Sequence, residues 1–306
     1  MTPSGGDSTF GFKVQSNVPL QFLRNGGGVE TLEITAALRP RERPAVEPLR
    51  DWTLPGTAHE VRATLYQVGS EFEYWTTDVG GFQIDPARRR IEAPADVDEI
   101  LREQRLWALP TTLCYMERGD LSLHAAAVEV AGRAVILAAP QRFGKTTLAW
   151  AFHRRGHRVL SEDLACCRVA PEPAVFPGPA LLRMRPDVYG GQSPDGTHVV
   201  LERPDRVFLA LNADRKGSSA PVPLAGIVFL RESEDGIRVE PAEPPTALAD
   251  LWALNFRLPT GEARTHSFQR LAGLAGGVRL ANLYRPLRLA DLDDTVTAIE
   301  DEVAGG

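Results

Sequence analysis

The stretch Ala138-Ala139-Pro140-Gln141-Arg142-Phe143-Gly144-Lys145-Thr146-Thr147-Leu148-Ala149 decides the fold. It follows an apolar run that starts at Ala134 and opens a segment from Lys145 to Gly156, whose terminal glycine is a helix stop signal. Strand, short loop and helix in that order are the setting a phosphate-binding loop requires. Against the pattern GxxxxGK(S/T), Gly144, Lys145 and Thr146 match, and Ala139 stands where the first glycine would be. That exchange adds one methyl group, which is tolerable where no positive φ is needed. A loop of this kind wraps phosphate oxygens in backbone N–H groups at a helix N-terminus, where the dipole favours anions. Gly144 permits close approach, Lys145 is placed to bridge phosphates, and the Thr146 hydroxyl is placed to ligate Mg²⁺. The expected nucleotide-binding residues are therefore Ala139, Pro140, Gln141, Arg142, Phe143, Gly144, Lys145, Thr146 and Thr147.

Two features flank this loop at telling distances. His124 lies 15 residues before Ala139, in the strand-like run LSLHAAAVEV, which the turn Ala131-Gly132 separates from the strand AVILAA. Glu162 and Asp163 lie 17 and 18 residues after Lys145, within HRVLSEDLACCRV, which reads as strand material. A carboxylate there suits Mg²⁺ binding, with Asp163 and Thr146 the expected pair, or proton acceptance from an attacking hydroxyl. The residues leave open which carboxylate takes which role. The bland alternatives are solvated strand-end carboxylates and a core histidine. Arginine forks suit transferred phosphate. Arg183 and Arg185 in LLRMRPD are the best downstream candidates, ahead of Arg206 and Arg257.

Three of the 34 basic residues are lysine (Lys13, Lys145, Lys216), and the other 31 are arginine. A lysine retained against that trend inside the loop is one that chemistry would not exchange. The first hundred residues read as β-rich, with short strands near 32–35, 63–68, 72–76 and 81–84 and turn signals at 25–28 and 80–81. The proline-bearing stretch 39–54 reads as a loop or linker. Residues 96–116 read as one or two helices interrupted by Pro110, and 178–205 as a lid-like or mobile loop. Residues 224–230 read as a buried strand, and 246–256 and 289–303 as helices. Trp252 and Phe256, at i and i+4, read as core. The division is thus 1–95, a β-rich unit, and 96–306, the unit carrying the loop.

With 306 residues, 43% hydrophobic and 24% charged, the composition is that of a globular chain of one or two domains. A net charge of −6 offers no basic field for nucleic acid. No apolar run reaches the ~18–20 residues of a membrane helix. The start MTPSGGDSTFGF lacks both a basic and an apolar signal-peptide region, so the expected location is the cytoplasm. Cys114, Cys166 and Cys167 fit neither a disulfide framework nor a zinc site, and the adjacent pair reads as half-buried strand filler.

The stretch from His124 to Asp163 resembles the catalytic core of HPr kinase/phosphorylase, whose fold is related to phosphoenolpyruvate carboxykinase. The strand histidine, the short turn, the loop, Arg155-Gly156-His157-Arg158 and the acidic pair stand at the family's spacing. About 40 residues match firmly and another 130 or so weakly, in the manner of kinase-like homologues from bacterial peptide-modification clusters such as lasso-peptide kinases. The resemblance implies an α/β fold: a P-loop core of mixed β-sheet and helices with a smaller β-rich N-terminal domain. It implies an ATP- and Mg²⁺-dependent kinase whose acceptor is a hydroxyl, a serine of a ribosomally made peptide or a small-molecule alcohol. It also implies a homo-oligomer and roles for His124, Glu162, Asp163 and Arg183 around the acceptor. The chain departs from the family at Ala139 and Glu162. It has no counterpart of the glycine-rich segment tied to HPr recognition, so HPr is not the expected acceptor. A nucleotide-binding sensor or adaptor that transfers nothing is the alternative of another class. Carboxykinase chemistry is disfavoured, because the extra metal-binding lysine and histidine set is missing.

Overall fold

The computed structural model describes residues 7–39, 41–54 and 60–305; residues 1–6, part of the stretch read for a signal peptide, lie outside them. The chain is a mixed α/β protein with three sheets. The first has nine strands, all between Asp7 and Ala93. Period-two alternation builds it: in Glu71–Thr76, Phe72, Tyr74 and Thr76 are buried and the residues between them are not. The stretch read as a linker contributes the strand Arg50–Leu54, paired antiparallel with Val61–Val68 at one edge. An edge strand needs only one partner, so the prolines before it do no harm. The helices Glu99–Leu106 and Leu109–Glu117 pack on this sheet. Pro110 starts the second helix rather than interrupting one, because the first turn needs no N–H there.

The second sheet carries the loop. Arg133–Ala138 lies parallel to Val222–Glu232, which lies parallel to Arg279–Arg285. Alternate side chains enter different cores. Val135, Leu137, Val228 and Leu230 meet the helices Lys145–Arg154 and Leu292–Ala304. Ile136, Ile227 and Phe229 meet the helices Pro244–Leu254 and Gly261–Gly277. This makes a three-layer arrangement with the sheet in the middle. The third sheet is antiparallel and holds Leu181–Met184, Val207–Leu211 and Thr197–Glu202. Half of the expected lid at 178–205 is therefore paired strand plus the short helix Pro186–Tyr189.

The two halves of the sequence share one core. Phe10, Phe12, Leu32 and Phe82 lie in the same cluster as Trp107, Cys166, Phe176 and Phe208. Arg24, fully buried, donates from Nε to the Gly178 carbonyl at 2.5 Å and from Nη2 to those of Val159 and Leu160 at 2.8 and 3.3 Å. Its Nη1 donates to the Lys216 carbonyl. Cys166 and Cys167 are fully rather than half buried, and burial pushes the Cys167 thiol up to about 12. No helix among the described residues is long and apolar enough to cross a membrane.

Candidate active site

The two runs read as single strands form one antiparallel ribbon with a gap. Leu123 pairs with Ala165 on one side of it, and Ala127 with Ser161 on the other. Between those pairs, His124–Ala126 face Glu162–Leu164, three residues against three, without ladder pairing across the ribbon. His124 donates its backbone N–H instead to the Leu254 carbonyl, at 2.8 Å, where the helix Pro244–Leu254 ends. The gap therefore carries the histidine and both carboxylates, and it opens beside the loop 139–144.

Glu162 and Asp163 are adjacent in the chain and diverge. The Thr146 hydroxyl donates to Glu162 Oε1 at 3.0 Å, and Arg183 Nε donates to Glu162 Oε2 at 2.9 Å. Asp163 lies 2.7 Å from Arg183 Nη2 and 3.3 Å from His124 Nδ1. The structure thus sets Glu162, not the expected Asp163, beside Thr146, at a bend of the backbone between the strands Arg158–Ser161 and Ala165–Arg168. Arg183 owes its direction to strand alternation: Leu182 and Met184 enter the core and the arginine between them turns to the carboxylates.

Charge and burial oppose each other here. Burial alone would raise the Asp163 carboxyl, but Arg183, His124 and Lys145 outweigh it and hold it at about 2. Burial raises the more enclosed Glu162 carboxyl, and Asp163 adds to that, against the pull of Arg183. Burial lowers His124 despite Asp163, which favours a neutral imidazole.

The loop has the features of an anion cradle. Gly144 has φ 79° and Arg142 φ 69°, both left-handed, whereas Ala139 does not need that conformation. Among the described residues no acceptor meets the backbone N–H groups of Gln141 to Thr147. Lys145, 7% exposed, donates to the carbonyls of Ala139 and Pro140 at 2.8 and 3.1 Å. These unpaired donors and the nearby cation fit the phosphates of a nucleotide. Glu162 with Thr146 fits a Mg²⁺ ion that draws its other ligands from water and phosphate. No cluster of three or more acidic, histidine or cysteine side chains that could hold a metal exists among the described residues.

All of these side chains line one cleft of about 1100 Å³. Its far wall comes from the first sheet and its helices, with Arg50, Trp52, Tyr74 and Leu109. Phe256 lines the cleft too, and Trp252 lies 3.8 Å from the Arg257 guanidinium; both are partly buried and pack against the hydrophobic cores at their edge. Arg185, paired with Asp187, and Arg206 both line the cleft, whereas Arg257 is not part of its lining. One cleft residue that sequence reasoning missed is Arg285, at the end of a strand it did not predict.

Arg105 and Asp78 brace the far wall through a contact of 2.6 Å between side chains 9% and 15% exposed. Burial raises the Asp78 carboxyl, yet Arg105 outweighs it and leaves the group below its ordinary 3.8. A depressed carboxyl stabilises the fold above its unfolded pKa and loses that contribution as pH falls through the folded value. Asp78→Asn is predicted to cost about 2 kcal/mol at pH 7. Urea unfolding should show that difference shrinking below about pH 4; a gap that widens in acid contradicts the assignment.

No protein-family profile matches this chain, and no curated protein sequence does. Among solved structures, the chain is similar to the Hpr(Ser) kinase/phosphatase from Coxiella burnetii, at 11% identity, covering 60% of this chain and 97% of that one, with a TM-score of 0.33. A likeness that loose places no side chain.

Proposed function

We propose that this chain is an ATP- and Mg²⁺-dependent kinase that phosphorylates a hydroxyl, with a seryl peptide as the acceptor class. One observation carries the reading: the ribbon gap brings His124, Glu162 and Asp163 against Lys145, Thr146 and Arg183, beside a row of unpaired loop N–H groups. The cleft, about 1100 Å³, stands at the top of the ~300–1,000 Å³ usual for a ligand site.

The loop N–H groups and Lys145 would hold the nucleotide phosphates, and Thr146 with Glu162 the metal. Bound Mg-ATP would supply the phosphoryl group and neutralise part of its charge. Asp163 is the proton acceptor for the acceptor hydroxyl. At a pKa of about 2 it is a weak base while Arg183 holds it. When Arg183 turns toward an incoming anion, that restraint relaxes and Asp163 gains basicity. His124 orients Asp163, and the sheet of residues 1–95 forms the acceptor wall around Arg50 and Trp52.

Calorimetric titration with ATP should show binding that Mg²⁺ strengthens, and no binding in either condition overturns the reading. Asp163→Asn should lower phosphoryl transfer to a seryl-peptide library by about 10²–10⁴-fold while ATP affinity stays within about threefold. Unchanged turnover would remove Asp163 from the reaction. ATP binding without transfer to any hydroxyl would favour a sensor.

A further inference from the structure

The cleft holds a further buried cation, Arg285, to which the reading above gives no role. Arg285 ends the strand Arg279–Arg285, one of the parallel strands that run alongside Arg133–Ala138 and finish at the same edge of the sheet. Ligands of parallel sheets gather at that carboxyl edge. Its side chain is 2% exposed and lines the cleft. Nη2 donates to the Phe143 carbonyl at 3.0 Å and Nη1 to that of Pro286 at 3.4 Å. Nε is buried with no partner, and among the described residues no carboxylate stands within ion-pair distance of the guanidinium. A Cβ added to Gly144 would lie 2.6 Å from Nη2, so the guanidinium sits against the loop residue that most needs to be small.

Buried charge of this kind calls for a counter-charge. Arg24 is equally buried but uses all three nitrogens on carbonyls, as a structural clamp does. Arg102 also keeps an orphaned Nε, but it is not part of the cleft lining. Among the described residues only Arg285 combines burial, an unused donor and a position against the loop. Lys145 rests in the same way, on loop carbonyls rather than on a carboxylate.

We propose that Arg285 is a second phosphate-binding cation of this site, resting on the Phe143 carbonyl and moving its free donors onto phosphate oxygens when a polyphosphate enters the loop. This rests on the kinase reading, because it takes the loop to be the phosphate cradle. A fork beside a point charge would grip two oxygens of one phosphate and leave Lys145 to bridge.

The test is calorimetric titration of the full chain with tripolyphosphate, which carries no base or sugar, using wild type, Arg285→Gln, Arg285→Lys and Lys145→Ala. The glutamine amide can still donate to the Phe143 carbonyl, so a purely structural role predicts unchanged affinity. Loss of charge predicts affinity lower by about tenfold or more, with partial recovery in Arg285→Lys and an unchanged melting temperature. If Arg285→Gln binds like wild type while Lys145→Ala does not bind, this proposal falls and the kinase reading stands. If wild type binds neither tripolyphosphate nor ATP, both fall. Should Arg285→Gln fail to fold, a crystal structure of wild type with tripolyphosphate decides. An Arg285 nitrogen within about 3 Å of a phosphate oxygen supports the proposal, and a guanidinium still confined to the Phe143 carbonyl overturns it.

Discussion

Replacing Lys145 with alanine is expected to weaken ATP binding by about 100-fold or more, with little change in folding stability. The size follows from the ammonium's surroundings. It is 7% exposed and donates to two loop carbonyls. Burial lowers its pKa, and the Asp163 and Glu162 charges oppose that. A bound polyphosphate would give it the close anion it lacks at rest, and charge-assisted contacts of this kind are each worth about 1.5–3 kcal/mol. Tenfold in affinity is about 1.4 kcal/mol, so one or two such contacts give the expected loss. Folding should suffer little, because the variant also removes the cost of burying the charge. Calorimetry and thermal unfolding on the same protein separate the two effects. A Lys145→Ala protein that binds ATP within threefold of wild type rules out the cradle.

The second large effect comes from a residue that does not line the cleft. Arg24→Met should destabilise the chain by about 3–5 kcal/mol in urea unfolding. Methionine fills much of the volume but takes the Arg24 donor from four carbonyls, those of Val159, Leu160, Gly178 and Lys216, of which Leu160 keeps the Gly178 N–H at 2.8 Å. Two of these lie in the strand that leads to Glu162 and Asp163. The loss should therefore appear as one cooperative transition and not as separate melting of residues 1–95. A change below about 1 kcal/mol would mean that the four bonds carry little net energy.

How much of this was legible in the sequence differs from place to place. The loop was, because glycine, lysine and threonine at fixed positions after an apolar strand are a local signal. His124, Glu162 and Asp163 were singled out through spacing and Arg183 as an arginine fork downstream, and the structure gathers all four. The division of labour between the carboxylates was not legible, since it depends on which way each side chain leaves a backbone whose pairing has lapsed. Nor was the strand Arg50–Leu54: edge strands lack the apolar alternation that marks buried ones. Arg285 was hidden twice. It is one of 31 arginines, and its strand alternates weakly, with Ala281, Leu283 and Arg285 as its buried positions. Arg24 carries no sequence signal, because its partners are backbone carbonyls more than 130 residues away.

The gap in the ribbon sets a rule of arithmetic for change at this site. The pairs Leu123–Ala165 and Ala127–Ser161 share one register across it, and the one-residue shift of the ladder falls just beyond, between Ala127 and Val128, so the two edges of the gap, His124–Ala126 and Glu162–Leu164, are equal in length. One inserted residue on either edge would turn Leu121 and Leu123, or Cys167 and Ala165, to the wrong face of the sheet. Substitutions here tune chemistry, whereas insertions and deletions disrupt the fold. Variants of this site will therefore differ in the identity of its residues and not in their number.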